Sequence, residues 1–203
     1  MDERIIATLI GISTGWVLSQ LTDFFKEKRI RNRKIIAINT ELEDLSAWLE
    51  RMKKTTRYSM MLALHKKNNH LIPTHLQKFL IDEHFHEICI YLTRDKRICI
   101  TDIYNNINSI NSSINELREV LDQQKDNSFK EIIDKNEGLY INAMETKSKI
   151  DFLLSKNKYK LNMSVGQADE ISRKLTSELV AIRDEALKLT PEKITEAYYN
   201  EKI

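Results

Sequence analysis

Glycine and proline are scarce in this 203-residue chain, with four of the first and two of the second. Sheets need frequent tight turns, whereas bundles of long helices do not, so the shortage excludes most all-β designs and predicts an all-α fold. Two cysteines, Cys89 and Cys99, are too few for a disulfide framework and fit a reducing compartment. Surplus charge is missing as well. Thirty-two Lys and Arg against 30 Asp and Glu give a formal net charge of +2, so a wholly basic nucleic-acid binder is not implied. The phosphate-binding and nucleophile motifs GxxxxGK[ST], GxGxxG and GxSxG are absent, as are HExxH and CxxC. Nothing therefore nominates a catalytic residue, a cofactor site or a small-molecule substrate, and the chain is expected not to be an enzyme.

What is present is concentrated at the N-terminus. Ile5–Leu21 is an uncharged run of 17 residues, followed at 26–34 by six basic residues and one acidic residue. Seventeen residues of helix cover about 25 Å, and continuing to Phe25 adds a turn toward the ~30 Å of a bilayer core. The segment 1–25 is therefore expected to be a membrane-spanning helix. Phe24 and Phe25 would be its interfacial anchors, and 26–34 a basic juxtamembrane segment. Net negative charge before the run and no small-residue cleavage site argue against a secretory signal. By the positive-inside rule, the expected orientation in a bacterial inner membrane is single-pass, N-terminus out and bulk cytosolic. A helix lying in the interface, or buried in a core, is the alternative that Ser13, Thr14, Ser19 and Gln20 keep open.

Ala7, Gly11, Gly15 and Ser19 recur every fourth residue, and Asp23 continues the register. A small-residue face lets helix backbones approach closely in lipid, so a homo-oligomer is expected, packed through these positions. A ring of Asp23 carboxylates would line a pore mouth, although a lone aspartate reaching headgroup water is the simpler reading. Lys26, Lys28, Arg29, Arg31, Arg33 and Lys34 are expected to face anionic lipid.

Residues 35–203 read as a helical bundle of about five or six helices. Ile36, Ile38, Leu42, Leu45, Leu49 and Met52 have helical spacing, with Trp48 beside them. A turn follows at Asn68–Thr74, then a shorter segment from Pro73 to Leu92. Ile100, Ile103, Ile107, Ile110, Ile114, Leu117 and Leu121 alternate steps of three and four, a seam expected to be the spine of the bundle. Asn105, Asn106, Asn108, Asn111 and Asn115 occupy its other, wet faces. After a break at 126–128 come helices at 129–155 and 168–189, separated by a loop at 156–166. Thr190 and Pro191 then read as the cap and first residue of a last helix. Asp82–Glu87 holds two histidines, but His84 and His86 point about 200° apart on a helix, so a solvated face is expected rather than a metal site.

This layout, a short N-terminal membrane helix opening a small Ile-, Lys- and Asn-rich helical domain, resembles the membrane accessory protein of type VI-B CRISPR systems. The resemblance implies a divergent HEPN-like bundle that assembles into a membrane pore and supports RNA-guided antiviral defence, with a protein or RNA-guided effector as partner. HEPN ribonucleases carry an arginine, four to six residues, then a histidine. Here the nearest approach is Arg57 to His65, with seven between, so no nuclease site is carried over.

Overall fold

The computed structural model describes residues 3–123, 129–155 and 165–200, with side chains from Thr8 onward except for those of 165–168. Six α-helices make up the fold, and among the described residues there is no strand. They are α1 (Glu3–Leu64), α2 (Phe79–Ile88), α3 (Arg94–Asp122), α4 (Phe129–Leu154), α5 (Val165–Lys188) and α6 (Pro191–Asn200), with a 3-10 turn at Cys89–Tyr91. The all-α expectation holds, and the isoleucine-rich stretches around 88–92 and 98–103 are helical. The expected break at 126–128 lies outside the described residues, as do residues 156–164 of the loop expected at 156–166, while residues 165–167 are already helical, so α5 starts three residues before the expected 168.

One helix runs without a break through the three expected segments 1–25, 26–34 and 35 onward. Its 62 residues extend for about 93 Å. The second half of α1 is the axle of the bundle. Ile38, Leu42, Leu45, Leu49 and Met52 are buried, and α1 packs chiefly against α4, where Leu139, Ala143 and Ile150 are buried in the same core. The seam of α3 is buried from Ile100 to Leu117 and closes on α4. That seam is spent inside the molecule and does not offer a coiled coil to another chain. Two residues expected beside the core are not in it: Ile36 is 63% exposed and Trp48 stands largely in solvent, both off the packed stripe of α1.

Buried polar side chains tie the irregular segments to the helices. A turn at 65–66 closes α1, and residues 67–78 form an irregular strap. Ser59 Oγ donates to the Leu71 carbonyl and accepts from its N–H. Asn111 does the same for Leu76, at 2.9 Å and 2.8 Å, so this asparagine of the expected wet face is a clasp. Helix α2 has no side-chain cap of its own, because Lys78 stands at its N-cap position. Glu41 of α1 supplies it instead, accepting from Leu80 N–H at 2.8 Å and Ile81 N–H at 2.7 Å. A carboxylate at the positive end of a helix dipole is favourable, and here it also fixes α2 on the axle.

Among the described residues, no helix is long and apolar enough to cross a membrane. The expected spanning helix is not supported on that criterion, and its composition gives the reason. Ser13, Thr14, Ser19, Gln20 and Asp23 dilute the run, while the side chains of Ile5, Ile6 and Ala7, which open it, lie outside the described residues.

Candidate functional site

The first half of α1 projects from the bundle as a bare arm. Every described side chain from Thr8 to Ile30 is exposed, and the first partly buried one is Arg31. The exposed set includes Leu9, Ile10, Ile12, Trp16, Val17, Leu18, Leu21, Phe24 and Phe25. Helical spacing spreads these over about 240° of the circumference, too wide for a helix with one apolar stripe awaiting one groove. Most of its smallest side chains gather on one side, with Ser13 on the other. Gly11, Gly15, Ser19, Thr8 and Thr22 fall within about 80° of arc at 100° per residue. A Cβ built on Gly11 or Gly15 would meet nothing within 4 Å, so neither glycine is required by contacts within the chain. Asp23 is exposed at the inner end of the arm. Ala7, the first member of the expected small-residue face, lies outside the described side chains.

The six basic residues at the base of the arm divide into two sets. Lys26, Lys28, Arg29 and Arg33 are exposed. The other two turn toward the bundle: Arg31 stacks its guanidinium 4.7 Å from the centre of the Tyr91 ring, and Lys34 pairs with Glu87. Arg31 and Lys34 thus hold the α2–α3 corner against the arm. Sequence reasoning missed this because the partners lie more than 50 residues away.

Arg57 and His65 also act as fasteners. Arg57 Nη2 meets Glu185 Oε2 at 2.6 Å, and His65 lies 2.8 Å from the Ala186 carbonyl through Nε2. A carbonyl only accepts, so Nε2 carries the proton and donates. Adjacent residues of α5 are therefore pinned to α1. The cavity next to Arg57, lined by Tyr58, Glu185 and Tyr198 among others, measures about 70 Å³. That is far below the 300–1,000 Å³ of typical ligand sites. Nearby, the Tyr140 hydroxyl donates to Glu178 at 2.6 Å. Burial and the adjacent carboxylate raise the Tyr140 pKa well above the ordinary tyrosine range. Burial works the other way on Glu178, but the Tyr140 hydroxyl and Lys53 hold its carboxyl below its usual value. These contacts make a buried polar joint between α1, α4 and α5, with no open nucleophile.

Among the described residues no group of His, Cys, Asp and Glu is placed to hold a metal ion. His84 is partly buried, whereas His86 on the other side of α2 is exposed. Cys89 and Cys99 are free thiols, and burial, helped by the Asp102 carboxylate, pushes Cys99 up.

No protein-family model, no curated protein and no solved structure matches this chain.

Proposed function

We propose that the chain is a membrane-anchored homo-oligomer whose arms associate in lipid while the bundle stays in the aqueous phase. One observation carries the reading: an arm of large apolar residues is exposed on all sides and ends in a cluster of exposed cations. In water such a surface is a liability. Residues 5–25 of the helix cover about 32 Å, enough to reach through a ~30 Å hydrocarbon layer. The shortfall in hydropathy has a partial remedy. Arms packed through Gly11, Gly15, Ser19, Thr8 and Thr22 hide those three hydroxyls and the nearby backbone from lipid and turn Leu9, Ile10, Val17 and Phe24 outward, with Ser13 and Gln20 left on the lipid side. Lys26, Lys28, Arg29 and Arg33 then meet anionic headgroups, and the positive-inside rule leaves the bundle in the cytosol of a bacterial cell.

In this reading the protein is not an enzyme. Its bundle receives a protein or RNA-guided partner, and its arms form the pore or the anchor. The antiviral role implied by the resemblance to the type VI-B accessory protein is the conducting form of this assembly. A non-conducting scaffold that tethers the same partner is the other form. Particle mass in mild detergent tests the assembly. The wild type should run as a closed oligomer, and Gly11→Leu with Gly15→Leu should collapse it to smaller species. A wild-type monomer would end the reading. Current across a planar bilayer, present or absent, then separates pore from scaffold.

A further inference from the structure

The bundle end nearest the arm is the corner where α2 passes into α3, and its surface is unusual. Ile90 is 68% exposed, Tyr91 55% and Ile98 53%, three large apolar or aromatic residues within nine positions. Between them, residues 93–97 hold three cations, Arg94, Lys96 and Arg97, and one acid, Asp95. Arg94 and Lys96 are exposed, while Arg97 turns back toward the Cys89 carbonyl at 3.4 Å. Thr93 caps α3 by accepting from Lys96 N–H, so the cations sit on an ordered helix start.

The corner is locked to the arm at a fixed height. Glu41 holds the start of α2, Lys34 pairs with Glu87 near its end, and Arg31 stacks on Tyr91. Helix α2 thus runs antiparallel to α1 and delivers Tyr91 to the level of Arg31. That level is six residues below Phe25, or about 9 Å along the helix axis. The headgroup layer on each side of a bilayer is about 5–8 Å thick. If Phe25 marks the hydrocarbon boundary, the corner meets the outer edge of the headgroups of the same leaflet.

We infer that the Cys89–Ile98 corner is a second lipid contact, which rests on an anionic bilayer surface and sets the bundle's orientation beneath the arm. Apolar side chains interleaved with cations match an interfacial surface, where Ile90 and Ile98 dip among headgroups and Arg94 and Lys96 meet phosphates. Continuity with the exposed cations of the arm makes anionic lipid the fitting occupant. The inference rests on the arm entering the bilayer, so its test reads the two contacts separately.

The test uses the full-length chain carrying Cys89→Ser, Cys99→Ala and Ile90→Cys, labelled at position 90 with an environment-sensitive dye. It is mixed with phosphatidylcholine vesicles with and without phosphatidylserine, while Trp16 emission reports the arm in a Trp48→Phe background. The dye should brighten and become shielded from aqueous iodide on phosphatidylserine vesicles. Adding Arg94→Gln and Lys96→Gln should weaken vesicle binding about fivefold for each cation removed. Both cations are exposed, so these changes leave the fold intact, and the Trp16 response should survive them. A Trp16 shift with a dye that stays in water overturns the second contact alone. An unresponsive Trp16 overturns both it and the membrane reading.

Discussion

The two halves of α1 share one backbone and one helical geometry, yet obey opposite rules. From Arg31 to Leu64 the helix buries a stripe at Ile38, Leu42, Leu45, Leu49 and Met52 and leaves polar residues outside. From Thr8 to Phe25 it presents large apolar residues over about two-thirds of its circumference and buries none of them. Hydropathy alone would rank the first half as the more core-like. The difference shows that burial within this chain is decided by what the other helices can reach: α2, α4, α5 and α6 pack on the second half, and α3 closes on α4.

The comparison breaks most visibly in the axle. Leu45→Ala should lower unfolding stability by about 2–5 kcal/mol in denaturant titrations, because a fully enclosed side chain leaves a cavity. Leu18→Ala in the arm should change it by less than about 0.5 kcal/mol. Equal losses would mean that the arm folds back onto the bundle.

Glu41→Ala, next in size, strips both acceptors from the start of α2. It should cost about 1–3 kcal/mol and raise hydrogen exchange at Leu80 and Ile81. Glu41→Gln keeps one acceptor oxygen and should recover part of the loss. Asn111→Ala is smaller. It frees the N–H and carbonyl of Leu76, lowers stability by about 1–2 kcal/mol and exposes the strap to proteolysis near residue 76.

The smallest effect is a pH dependence. The ring nitrogens of His70 are enclosed, the ring lies 6.4 Å from that of Phe129, and burial, only partly offset by the Ser59 backbone, holds the pKa of His70 below the ordinary value. A histidine with a depressed native pKa leaves stability intact above its unfolded value of about 6.5. Below that value the unfolded chain binds a proton that the native one resists, so stability falls with pH until the native pKa is passed. The melting temperature should therefore drop between about pH 7 and pH 5.5, and His70→Gln should flatten part of that drop. An unchanged slope would remove His70 as the cause.

Much of this fold was legible in the sequence because its signals are local. The three-and-four spacing from Ile100 to Leu117 and the cap at Thr190–Pro191 needed only neighbouring residues, and both fell within an element as expected. Continuity of α1 across 25–35 was less visible, because charge and hydropathy change there while helix propensity does not. Long-range uses of polar residues were invisible. Asn111 reads as part of a wet face, Arg31 and Lys34 read as lipid-facing cations, and Glu41 carries no signal, until α2, Tyr91 and the strap arrive from 35 to 60 residues away in sequence. Arg57 and His65 read as a failed catalytic pair for the same reason, since their partners, Glu185 and Ala186, lie on α5.

The central claim is that the arm enters lipid and the axle does not, and the chain's two tryptophans fall one on each half. Trp48→Phe leaves Trp16 as the reporter of the arm, and Trp16→Phe leaves Trp48 as the reporter of the axle. With vesicles containing acyl chains brominated near the bilayer centre, Trp16 emission should shift to the blue and be quenched, while Trp48 emission stays as in buffer. Trp16 emission that remains water-like and unquenched, or Trp48 quenched to the same degree, would contradict the account.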